Sequence, residues 1–96
     1  MKPSVALERN RGAVHRLVTR FHSVNPRIFG SASLGQDTEG CDLDLLVDPL
    51  PGATLLDLGG LQVELEDLLG VHVDLVTPGD IPEKFRDRVL AEARPI

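Results

Sequence analysis

Between Ser4 and His22 the apolar residues Leu7, Val14, Leu17, Val18 and Phe21 recur at helical spacing, leaving Glu8, Arg9, Arg11, Arg16 and Arg20 for the wet side. The pattern predicts an amphipathic helix. Ser23-Val24-Asn25-Pro26 breaks it, because proline lacks the amide hydrogen a helix uses and disfavours helical backbone in the residue before it. Arg27-Ile28-Phe29 reads as a short strand, followed by a helical turn at Ser31-Ala32-Ser33-Leu34 that Gly35 stops. A polar loop over residues 36–40 leads into Asp42-Leu43-Asp44-Leu45-Leu46-Val47, which alternates and then turns wholly apolar, as a partly buried strand does.

Thr54 with Asp57 resembles a capping box, and Leu58, Leu61, Leu65, Leu68 and Leu69 form the stripe of a second long helix that ends at Gly70. Gly59 and Gly60 lie inside it, each costing about 1 kcal/mol relative to alanine, so either something packs closely there or the first turn is irregular. Val71 to Val76 alternates as a strand with Val71, Val73 and Leu75 on one face and His72, Asp74 and Val76 on the other. Asp80 with Glu83 predicts the start of a last helix, with Phe85, Val89, Leu90 and Ala93 buried. This order of elements predicts an α/β (α+β) fold, a small mixed sheet flanked by helices, forming a single domain over residues 1–96.

Composition narrows the core and the class. With 42% apolar residues, no Trp or Tyr and only three Phe, the core must be built from Leu, Val and Ile. Fifteen acidic against ten basic residues, a formal charge of −5, disfavours direct nucleic-acid binding. The same excess suits either cation recruitment or simple solubility. The lone Cys41 excludes an intrachain disulfide, and neither a secretory signal nor a membrane-spanning run is present, which predicts a cytoplasmic protein.

The candidate chemistry lies where acids meet the strands. Asp42 and Asp44, two positions apart, leave the same face of their strand with Cα atoms about 6.5–7 Å apart. Carboxylates so placed can share a pair of cations about 3.5–4 Å apart, the arrangement used in phosphoryl transfer, and Asp74 is the natural third ligand. A lone D-x-D is weak evidence, but these acids precede Leu45-Leu46-Val47, so their strand reads as central, and carboxylates near a core are costly without cations. Gly30 and Ser31, at a strand-to-helix turn, offer backbone N–H groups and a hydroxyl to a phosphate, although an ordinary capped turn has the same sequence. His72 shares the strand face of Asp74 and reads as solvated or structurally hydrogen-bonded. Cys41 has no base near it in sequence and reads as a small residue at a strand start.

Phe29-Gly30-Ser31, Asp42 to Val47 and Val73-Asp74-Leu75-Val76-Thr77-Pro78 together resemble the DNA polymerase β-like nucleotidyltransferase superfamily, in particular its minimal, MntA-type branch. The likeness runs from about residue 27 to the C-terminus. It implies that Gly30 and Ser31 hold the β- and γ-phosphates of ATP, that Asp42 and Asp44 bind two Mg2+ ions (Mn2+ serving as a substitute), and that Asp74 holds the catalytic ion near the acceptor. It further implies an antitoxin that adds AMP to a tyrosine of a HEPN-type toxin partner. Two positions depart from the family pattern: Leu34, where many relatives have arginine, and Cys41, usually serine, both beside the phosphates. Two other readings stay open: a module that neutralises its partner by docking alone, and transfer to a small molecule, which needs a further domain or a homodimer to complete the acceptor pocket.

Overall fold

The computed structural model describes Met1–Ile96. Its elements are α1 (Pro3–Arg9), α2 (Arg11–Arg20), β1 (Ser23–Phe29), a 3-10 turn (Gly30–Ala32), β2 (Leu43–Pro49), α3 (Leu55–Leu69), β3 (Val73–Val76), a second 3-10 turn (Pro78–Asp80), α4 (Glu83–Glu92) and β4 (Arg94–Pro95). The sheet runs β3-β2-β1-β4, with β2 and β3 parallel and the other pairs antiparallel, so the expected mixed sheet flanked by helices is present. No helix is long and apolar enough to cross a membrane.

Strand alternation decides which residues enter the core. Leu43, Leu45 and Val47 of β2 and Val73 of β3 point to one face, where they are fully buried against Ala6 and Leu7 of α1, Val14 and Val18 of α2, and Leu61, Leu65 and Leu69 of α3. The β2 residues between them therefore project from the other face. Asp42 and Asp44 thus stand on the side that the three-helix layer leaves uncovered.

The predicted first helix is two helices. The Asn10 side-chain amide donates to the Ala6 carbonyl (2.8 Å), the acceptor its own backbone N–H would have used, and that N–H goes to Leu7 instead (3.0 Å). The chain turns at Asn10 and restarts at Arg11, which lets Ala6 and Leu7 reach the same core as Val14 and Val18. β1 is also longer than expected, running through Pro26. Asn25 takes a left-handed backbone (φ 62°) and the β1–β2 register shifts between Val24 and Arg27, so the missing proline N–H falls within an irregularity of the ladder.

The C-terminal expectation is corrected in four respects. Asp80 does not cap α4: its carboxylate accepts from the Thr77 N–H (3.1 Å) and hydroxyl (2.9 Å), closing a box around the second 3-10 turn, and α4 starts from Pro82. No residue of α4 is buried, and Phe85 and Leu90 are 49% and 37% exposed. Beyond it the chain forms β4, pairing Arg27 with Pro95 and Ile28 with Arg94. Finally, β3 begins at Val73 rather than Val71.

The Thr54–Asp57 capping box forms as expected: the Thr54 N–H donates to Asp57 Oδ2 (2.9 Å) and the Asp57 N–H to Thr54 Oγ1 (3.1 Å). The two glycines behind it differ. A β-carbon at Gly60 would lie 2.7 Å from Cε1 of Phe21, whereas one at Gly59 would meet nothing within 4 Å. Gly59→Ala is therefore expected to stabilise the fold by about 0.5–1 kcal/mol through helix propensity. Gly60→Ala is expected to destabilise it by about 1–3 kcal/mol, because the Phe21 ring must move. Urea denaturation of the two variants checks this, and shifts of equal sign would contradict it.

Candidate functional site

Three aspartates converge at the start of β2. Asp44, half-buried on β2, stands opposite Asp74 in the parallel β2–β3 register, close enough for one carboxyl to hydrogen-bond the other. Asp42 lies exposed just ahead of β2, a carboxylate oxygen within 4.8 Å of a carboxylate oxygen of Asp74 and a ring nitrogen of His72. Burial first, then the charge of Asp74 and its hydrogen bond, then the charge of Asp42 raise the Asp44 carboxyl above its ordinary pKa. Such a cluster is favourable only when something positive shares it.

Gly30 closes the cluster from the β1 side. Its neighbour Phe29 pairs with Asp44 across the β1–β2 ladder, which carries the chain directly past the carboxylate. Gly30 has φ 70°, and a β-carbon there would collide with Asp44 Oδ2. The 3-10 turn follows at once. Ser33 donates its hydroxyl to the Gly30 carbonyl (2.8 Å), and Ser31 accepts the Gln36 N–H at its carbonyl (2.9 Å), so Gly30 and Ser31 are held against the acids. All five residues singled out from sequence, Gly30, Ser31, Asp42, Asp44 and Asp74, thus belong to one corner of the fold. Leu34 is 55% exposed and Cys41 is only partly buried, where its sulfur accepts from Thr38.

Two further residues near this corner in the chain make contacts that sequence reasoning did not assign. His72 hydrogen-bonds Asp74 Oδ1 through Nε2 (3.2 Å) and meets Glu66 Oε2 through Nδ1 (2.7 Å), while the same Glu66 oxygen accepts the Val73 N–H (3.0 Å). Burial lowers the imidazole pKa, but the charges of Asp42, Glu66 and Asp74 outweigh it and raise it above the ordinary value. The alternation of His72 with Asp74 was the available signal, and the contact with Glu66 on α3 had none.

Asp37 is the other. It sits in the loop between the Gly-Ser turn and Asp42 and is only 3% exposed, accepting from the Ser4 N–H (2.8 Å) and hydroxyl (3.0 Å). Burial pushes its carboxyl up, and the bonds from Ser4 more than offset this, holding it below the ordinary range. Because the folded-state value lies below the unfolded one, its stabilisation is present above the unfolded pKa and fades as pH falls through the lowered value.

Residues 11–96 match the family model described as a nucleotidyltransferase domain. A protein of Methanocaldococcus jannaschii assigned as a protein adenylyltransferase is 44% identical over 66 residues, covering 69% of this chain and 71% of that one. The protein adenylyltransferase MntA of Thermococcus cleftensis is 38% identical over 65 residues, covering 68% of this chain and 66% of that one. A solved structure assigned as a minimal nucleotidyltransferase superposes with a TM-score of 0.89 at 43% identity, over 100% of this chain and 97% of the other. A chain of a toxin–antitoxin crystal structure with AMP-PNP shares the fold at a TM-score of 0.75 and 20% identity, over 90% of this chain and 71% of that one.

Proposed function

The chain belongs to the nucleotidyltransferase domain family, and on that premise we propose that it transfers AMP from ATP to a tyrosine hydroxyl of a HEPN-type toxin, acting as the antitoxin of the pair. The observation that carries this reading is the packing of Gly30 against Asp44, which in turn faces Asp74: an anion-accepting turn and a carboxylate cluster share one corner. Adenylyltransferases among its sequence relatives and a toxin–antitoxin chain among its fold relatives support the same assignment.

The donor set fits magnesium. All three groups are hard carboxylate oxygens, and the Asp44 carboxyl is raised above its ordinary value by burial and then by the other two, a conflict that cations relieve. Asp42 and Asp44 would hold two ions and Asp74 would share the one nearest the acceptor. Bound there, magnesium supplies charge neutralisation for the phosphates. The chain's own part is placement. Gly30, lacking a side chain, lets the Asp44 carboxylate lie against the turn, Ser31 would offer its N–H and hydroxyl to a phosphate, and Glu66 holds His72 against Asp74. The acceptor oxygen then attacks the α-phosphorus as pyrophosphate leaves, a reaction in which positioning and electrostatics supply most of the rate.

One observation favours the docking module instead: Leu34, where the family pattern that this sequence resembles often has arginine, is exposed and offers a triphosphate no guanidinium. Incubation with the partner, magnesium and ATP decides between the two. The partner's mass is expected to rise by one or more AMP units, and Asp74→Ala is expected to slow this by about 100-fold or more, with Cys41→Ala close to wild type. A partner neutralised with no change of mass would make the protein a docking module.

A further inference from the structure

The loop joining the Gly-Ser turn to Asp42 contains Gln36-Asp37-Thr38-Glu39-Gly40-Cys41, a stretch with almost no apolar surface to bury. Within it only Asp37 is buried, and it is buried as a carboxylate. Both its oxygens are engaged by one residue, Oδ2 by the Ser4 N–H and Oδ1 by the Ser4 hydroxyl. Ser4 lies in the first turn of α1, whose Pro3, Ala6 and Leu7 are themselves buried, Ala6 and Leu7 in the main core. The loop is therefore fastened to the core through α1.

The fastening lies between the two halves of the candidate site. On one side, Gln36 donates its N–H to the Ser31 carbonyl (2.9 Å), in the phosphate-facing turn. On the other, the Cys41 N–H donates to the Thr38 carbonyl (3.1 Å), closing the turn that delivers the chain to Asp42. Asp44 and Asp74 are aligned by the β2–β3 ladder, but Asp42 precedes β2 and depends on the loop for its place. We propose that the Asp37–Ser4 contact is a strap that sets Asp42 and Ser31 in register with Asp44, making Asp37 a positioning residue for binding of magnesium and ATP. This rests on the nucleotidyltransferase reading of the same corner.

Asp37→Asn keeps the shape but loses an acceptor oxygen, Ser4→Ala removes the hydroxyl alone, and Ser4→Thr keeps both donors. Mg·ATP binding by calorimetry on the whole chain, below the melting temperature of every variant, is the readout. Asp37→Asn is expected to weaken binding by on the order of 10- to 100-fold, since misplacement by about 1 Å has effects of that size. Ser4→Ala should weaken it less, Ser4→Thr should restore wild-type affinity, and Ser4→Ala should add little to Asp37→Asn because both break one contact. Gly60→Ala, destabilised far from the loop, should bind as wild type does.

If Asp37→Asn melts earlier yet binds Mg·ATP like wild type, the contact serves stability alone and the strap is refuted. Should Asp37→Asn fail to fold, unchanged binding by Ser4→Ala refutes it equally. A wild-type protein that binds no Mg·ATP overturns the transferase reading and the strap with it, and the two failures are told apart by the wild-type titration.

Discussion

Asp42→Asn combined with Asp44→Asn is expected to abolish transfer, lowering kcat by about 1000-fold or more, while raising the melting temperature of the protein without ligands. The two effects have one cause. In the folded protein Asp44 is partly desolvated and faces Asp74 and Asp42, so its pKa is raised and its charged form is disfavoured. A raised carboxyl stabilises the fold only when protonated, and that contribution is lost as pH rises through the unfolded and then the folded value, so at neutral pH the wild-type cluster is a liability. Asparagine removes the charge and with it the reason for binding cations.

Wild-type protein should gain about 2.7 kcal/mol from Mg·ATP at 100 times its Kd. In a domain near this size that corresponds to about 4–8 °C of melting temperature for each kcal/mol. The double variant should show no such rise. Equal shifts in both proteins, measured by differential scanning calorimetry with and without Mg·ATP, would place the nucleotide elsewhere.

Gly30→Ala is expected to disable the enzyme almost as thoroughly without altering any charge. Left-handed backbone at a residue with a β-carbon costs about 1–2 kcal/mol, and here the added carbon would also collide with Asp44 Oδ2. Relief by moving the backbone is opposed by the pairing of Phe29 with Asp44, so the carboxylate must swing away. Gly35 provides the internal control, with the same φ of 70° but open space where its β-carbon would go. Gly35→Ala should lose about 1–2 kcal/mol of stability and keep its transfer rate, whereas Gly30→Ala should fall by about 100-fold or more. Equal activity in the two variants, in an assay of AMP incorporation, would mean that the glycine's role is conformational only.

What could be read in the sequence was local. The Thr54–Asp57 box and the Leu61-Leu65-Leu69 stripe declare themselves within one helix, and the alternation of Asp42 and Asp44 with buried Leu43 and Leu45 needs only a period of two. The errors share an origin in contacts between distant residues. Periodicity runs straight through Asn10, where a side-chain bond divides the helix, and Pro26 looks like a terminator until the bulge at Asn25 accommodates it. β4 is invisible because a strand of two residues is defined only by β1, which lies more than sixty positions earlier. At the site, the acids were legible as a type of residue at a spacing. Asp37 was not, since its meaning comes from Ser4 across 33 residues, and His72 owes its orientation to Glu66 on another element.

The facing of Asp44 and Asp74 across the parallel ladder makes the backbone of the sheet a ruler. Neighbouring strands lie about 4.7–4.9 Å apart whatever side chains they carry, because peptide hydrogen bonds fix the interval. The separation at which the third acid meets the pair is thus inherited from peptide geometry and owes nothing to how the leucines beneath happen to interlock. The helical layer is free to be repacked, trading Leu for Ile or Val at some loss of stability, without rescaling the distance on which the chemistry depends. A core this small and this poor in aromatic residues can afford to be imprecise where the site cannot.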